Sequence, residues 1–116
     1  MISWLERNRK FCWIFLILIA TEIFAISSLP GGGVTAGPSL AWLYHFSVFF
    51  LFNFLFLAAV IGKQKMTGKK LALVLIVSLI YAISDEIHQF FVPGRNTSLM
   101  DVLIDSSGIF LSSLVY

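Results

Sequence analysis

Long apolar runs separated by short polar or Gly/Pro-rich breaks make up most of this chain. Four runs stand out: Phe11–Leu29, Leu40–Ile61, Leu71–Val92 and Leu99–Tyr116. Each has roughly the 17 to 25 residues that a helix needs to cross about 30 Å of hydrocarbon. Pro-Gly turns in "LPGGG" and "VPGR" stop the first and third runs. Asn96, Thr97 or Ser98 can cap the fourth helix, with Asp101 in its first turn, where the helix dipole favours an anion. Thr67 in "TGKK" precedes the third run in the same way. The pattern predicts an all-α membrane protein of four transmembrane helices packed as a small bundle, one domain over residues 1–116.

One segment breaks the apolar rule. "DEIHQ", residues 85–89, places two carboxylates, an imidazole and an amide inside the third run. At about 100° per residue, Ile80, Ile83, Ile87, Phe90 and Phe91 share one helix face. Ser78, Tyr81, Asp85, His88 and Gln89 share the opposite face, with Glu86 at its margin. The segment therefore continues the helix as its polar side. Each acid costs a few kcal/mol at membrane depth unless it is paired or wet. Partners within the bundle are expected.

The other runs offer such partners. Asp101, Asp105, Gly108 and Ser112 form one small, polar stripe on the fourth, and small residues let helices approach closely. The second run carries His45 near one end and Asn53 deeper; the first carries Glu22, with Ser27 and Ser28 beyond it. Arg95 sits in the turn between the third and fourth runs. Five of the six acids are expected to converge, Glu6 being the exception. Each member also has a plainer reading: His45 as a packed, hydrogen-bonded histidine, Glu22 as a clasp between two helices, Asp101 as a capping acid, Arg95 as a solvated charge. The Asp85, Glu86, His88, Gln89 and Asp105 group has a weaker plain reading, because ionisable groups within a membrane are functional by default.

Composition agrees with the pattern. With 59% hydrophobic and 12% charged residues, the chain lacks the charge to cover a soluble surface. Charge placement adds orientation. Arg7, Arg9 and Lys10 precede the first run, and Lys63, Lys65, Lys69 and Lys70 separate the second from the third. The other two connections hold only Arg95, so the positive-inside rule predicts both termini in the cytoplasm. It also puts the polar cluster in the outer half of the membrane. The first run is too long for a signal-peptide core and "SSLPGGG" has no small-x-small cleavage site, so it reads as an anchor. The single cysteine, Cys12, excludes an internal disulfide and a cysteine metal cluster. The sequence shows no internal repeat, Walker loop or nucleic-acid motif, and the basic loop reads as a topology signal.

"SDEIHQFFVPGRNTSLMDVLIDSSG", residues 84–108, resembles the signature of the VanZ-like membrane proteins. An acidic-x-x-Gln helix end, a Pro-Gly-Arg turn and an Asp-x-x-x-Asp-x-x-Gly helix match at Glu86, Gln89, Pro93, Gly94, Arg95, Asp101, Asp105 and Gly108. Asp85 and His88 fit the version common in Gram-positive bacteria, and "IFAISSLP" and His45 are also similar to the family. Three positions depart from it. Trp42 and Ala41 stand where basic residues are common, and Phe49 stands where a Tyr usually follows the histidine.

The resemblance implies a multi-pass protein of the bacterial plasma membrane. The family's namesake is associated with resistance to teicoplanin, a lipoglycopeptide that acts on cell-wall precursors. Two functions are compatible with the residues. In the first, a polar pocket of Glu22, His45, Asp85, Glu86, His88, Gln89, Arg95, Asp101 and Asp105 binds a lipid-linked or cell-envelope ligand. Arg95 would grip an anionic head group there. The second is an intramembrane enzyme acting on a lipid-linked phosphate, with Asp85, Glu86, His88 and Asp105 as acid–base groups or ligands of a divalent cation. No nucleophile motif accompanies them, and the binding reading is preferred. No other cofactor is expected, and the partners are membrane lipids with a lipid-linked precursor or lipoglycopeptide, not nucleic acid. A proton path is disfavoured, because carboxylates confined to the outer half do not cross the membrane.

Overall fold

The computed structural model describes residues 2–28, 38–93 and 99–116, with residues 2 and 38–41 described as backbone only. All regular structure among them is helical: α1 Ile2–Arg7, α2 Arg9–Ser27, α3 Pro38–Ile61, α4 Gly68–Phe90 and α5 Leu99–Val115. The caps foreseen at Asn96 to Ser98, and Arg95 itself, lie outside the described residues. Three helices, α2, α3 and α4, are long and apolar enough to cross a membrane. α5 has 17 residues and packs among them. The short α1 was not foreseen, the basic start reading only as a charged lead-in. Asn8 separates it from α2, where its backbone leaves the helical region.

α3 is the hub. Its residues Phe52–Ala59 are all buried, as expected for a helix that is apolar on every face. α2 and α4 run one way and α3 and α5 the other, as the contacts along their lengths show. Arg9, at the start of α2, donates from Nε to the Ala59 carbonyl at 2.9 Å and from Nη2 to the Val60 carbonyl at 3.3 Å. The cation thus satisfies carbonyls at the end of α3, where the helix dipole is negative. Gly62 then ends α3 with φ +55°, a left-handed position that glycine adopts without strain. Thr67 caps α4 as expected, its hydroxyl accepting from Lys70 N at 3.3 Å. At the same end of the bundle Tyr116 Oη lies 3.3 Å from Glu6 Oε1.

The faces of α4 divide as its sequence predicts. Val74, Ser78, Ala82, Asp85, Glu86 and Gln89 are buried, whereas Ile80, Ile83, Ile87, Phe90 and Phe91 are exposed. On α5 the stripe of Asp105, Gly108 and Ser112 is buried. Gly108 lets α5 press on α3 so closely that a Cβ there would lie 2.5 Å from the Phe46 carbonyl oxygen. Below it, Asn53 ties three helices together. Its Oδ1 accepts from Ser78 Oγ at 2.8 Å, and its Nδ2 reaches Ser112 Oγ at 2.7 Å, Ser113 Oγ at 2.9 Å and the Ile109 carbonyl at 3.0 Å. The whole amide is spent on helix packing.

Candidate functional site

Four helices send polar side chains to one end of the bundle: the last turn of α2, the early part of α3, the last turns of α4 and the first half of α5. The antiparallel register explains the convergence. Ser27 ends α2 beside the end of α4, and His45 near the start of α3 meets α5 near its own start.

Two linked groups result. In the first, Ser27 Oγ donates to Asp85 Oδ1, while Gln89 Nε2 donates to Asp85 Oδ2 at 3.0 Å and to Ser27 Oγ at 3.2 Å. All three residues are buried, Asp85 at 6% exposure. In the second, His45 Nδ1 lies 2.9 Å from Asp105 Oδ1. The Asp105 side chain is fully buried, and its Oδ2 has no hydrogen-bond partner among the described residues. The groups meet at the centre: His45, Asp85 and Asp105 each offer a nitrogen or oxygen within 4.8 Å of the others.

The remaining expected members have different fates. Glu86 is buried on the same turn, and Asp101 is half-buried at the start of α5. His88 does not join the carboxylates. It stacks on Phe24 with ring centroids 4.6 Å apart, and its Nε2 lies 2.9 Å from Ser28 Oγ. That distance would suit a nucleophile and its base, but the Ser28 hydroxyl donates to the Phe24 carbonyl at 2.8 Å. The main-chain carbonyl thus competes with His88 for the serine's single proton, unlike a hydroxyl held for a base alone. Glu22 is not brought into the cluster. It is exposed, because the inward face of α2 is set by Leu16, Ile23 and Ser27. The convergence of five acids thus fails at Glu22.

The sequence places both histidines in the polar group, whereas the structure pairs His45 with Asp105 and turns His88 away to Phe24 and Ser28. His88 is i, i+3 from Asp85 along one helix, a local signal, whereas His45 reaches Asp105 across 60 residues. Ser27 was noticed only as a neighbour of the first helix's end; its depth, level with Asp85, was the available clue. The departures from the expected family pattern also become concrete. Phe49 is fully buried with its ring 6.2 Å from Tyr81, whose hydroxyl is spent on the Ala20 carbonyl at 2.5 Å. Trp42 is largely exposed, outside the cluster. A groove lined by Trp4, Leu5, Phe50, Leu51, Phe54, Leu55 and Val115 offers almost wholly apolar walls and holds none of the buried ionisable groups.

A helical bundle with three membrane-length apolar helices and buried carboxylates between them defines a multi-pass membrane protein. Residues 10–116 match the model of the VanZ/LLP1 family, and the chain belongs to that family. Neither the curated proteins nor the solved structures include one that matches it significantly.

Proposed function

We propose that this protein crosses the bacterial plasma membrane four times, with α5 as the fourth span and both termini in the cytoplasm. In this reading its polar end opens to the outer leaflet and binds the head group of a lipid-linked or cell-envelope ligand. One observation carries the reading. Four helices converge buried polar groups at the end of the bundle opposite the basic residues. Arg9 lies against the end of α3, so the N-terminal cations and the Lys63–Lys70 connection share one end. The positive-inside rule makes that end cytoplasmic. The cluster then faces the leaflet where cell-wall precursors are handled, which fits a contribution to teicoplanin resistance.

Topology is tested with single cysteines in a Cys12→Ser background. Cysteines at Thr35 and Asn96 should react with an impermeant reagent added to intact cells, and one at Thr67 should not. Labelling at Thr67 alone would invert the protein and move the cluster inside.

The ligand reading is tested at Asp85 and Arg95. Arg95→Lys keeps the charge but loses the planar fork that binds phosphate or carboxylate through two parallel hydrogen bonds. Asp85→Asn keeps the shape of a group that anchors the pocket. Both variants should insert and fold, yet retain several-fold less of the lipid that co-purifies with wild type and confer less teicoplanin tolerance. Mass spectrometry of the bound lipid, beside drug susceptibility, reads both effects. Unchanged lipid profiles and susceptibility would remove these residues from a ligand site.

A further inference from the structure

We propose that His45, Asp85 and Asp105 together hold one divalent transition-metal ion at the outer end of the bundle. Three helices supply the three ligands, and their nearest donor atoms already lie within 4.8 Å of one another. Donors around an ion bound at about 2.0 to 2.2 Å stand roughly 3 to 4 Å apart, so closure onto an ion needs side-chain adjustments of an ångström or less. His45 Nδ1 and Asp105 Oδ1, at 2.9 Å, are already at that spacing.

Proximity of acids alone would not mark a site. The second observation is Asp105 Oδ2, an acceptor on a fully buried side chain with no hydrogen-bond partner among the described residues. A buried carboxylate oxygen left without a donor is expensive, and a cation supplies what it lacks. Asp85 is held differently. Ser27 donates to one of its oxygens and Gln89 to the other, and each oxygen keeps a further lone pair. Donors of this kind orient a metal-binding carboxylate from behind. Asp85 is thus fixed in place while still able to coordinate.

The donor set also selects the ion. Magnesium and calcium favour cages made of oxygen alone, whereas an imidazole with two carboxylates suits zinc or manganese. Two carboxylates, a neutral imidazole and a divalent cation sum to zero charge, the least costly state at membrane depth. Three protein ligands leave a position for water or an outside oxygen, as in metal sites that are not purely structural. Metal binding is measured without any lipid ligand, so this inference and the ligand reading fail separately.

The full-length protein in detergent is stripped with chelator and titrated with Zn²⁺ and Mn²⁺, and Co²⁺ is added as a spectroscopic probe. Wild type should take up one equivalent, and the Co²⁺ adduct should show the visible absorption of a low-coordinate nitrogen–oxygen site. His45→Ala, Asp85→Asn and Asp105→Asn should each weaken binding by at least about tenfold. Glu22→Gln, at an exposed acid outside the cluster, should leave it unchanged. Circular dichroism identifies any variant that does not fold, and the wild-type stoichiometry and Co²⁺ spectrum stand without it. The proposal is overturned if wild type takes up less than half an equivalent, or if folded His45→Ala and Asp85→Asn bind as tightly as wild type.

Discussion

Replacing Gly108 with alanine should destabilise the folded protein by about 3 kcal/mol, the upper part of the range for overpacking a close contact. The added Cβ would stand 2.5 Å from the Phe46 carbonyl oxygen and 3.0 Å from Phe50 N. Both are backbone atoms of a helix, so no flexible side chain can swing aside; α3 and α5 must separate. That movement strains the polar contacts on either side of the glycine: His45 with Asp105 above, and Asn53 with Ser112 and Ser113 below. Gly68→Ala is the control. A Cβ at Gly68 meets nothing within 4 Å, and alanine is the better helix former by up to about 1 kcal/mol. Denaturant unfolding in a fixed detergent should therefore show a much lower midpoint for Gly108→Ala and an equal or higher one for Gly68→Ala. Equal midpoints for wild type and Gly108→Ala would mean that α3 and α5 are not this close.

The second large effect is expected at the buried His45–Asp105 pair. In metal-free protein, His45→Leu removes the partner of one Asp105 oxygen while the other has none among the described residues. A fully buried acid is then left without a donor, a loss of about 3 to 5 kcal/mol when one member of a buried pair is removed. Adding Asp105→Leu should recover most of that loss, because replacing both partners with apolar groups removes the stranded charge as well. The measurement is a double-mutant cycle of unfolding midpoints in the presence of chelator. If His45→Leu alone is neutral, or the double variant is no better than the single, the pair does not carry this energy. The double variant should still fail to bind metal, which separates stability from the site's chemistry.

The helices were legible because the information is local. Apolar runs of membrane length, Pro-Gly stops and the Thr67 cap each announce themselves within a few residues. So does the division of α4, where exposed Ile83 and Ile87 alternate with buried Asp85 and Gln89 by helical angle alone. α1 escaped notice because six residues with two charges carry no membrane-length signal. Position along the helix axes was legible too, and the structure brings His45, Asp85 and Asp105 together at one end of the bundle. Rotation about each helix axis was not. Glu22 has the right residue type yet lies one position from the inward Ile23, and nothing in the sequence of α2 distinguishes the two faces. The choice of His45 over His88 as the carboxylate partner was beyond reach for the same reason. It depends on how α3 and α5 are turned toward each other, which Gly108, packed on the Phe46 carbonyl, and Asn53 decide jointly across the two helices.

The hydrogen bonds that join the helices around the polar end span 58 to 62 residues of sequence. These bonds join α2 to α4 and α3 to α5, helices that are not neighbours in the order of synthesis. At about 5 to 20 residues per second, Asp105 is added to the chain roughly 3 to 12 s after His45. Throughout that interval the nascent chain carries an imidazole whose carboxylate partner has not yet been made. α5, made after α2, α3 and α4, completes the interior that those three leave open. Loss of α5 would leave α2, α3 and α4 with uncovered polar groups, the feature by which membrane quality control can recognise an unfinished protein.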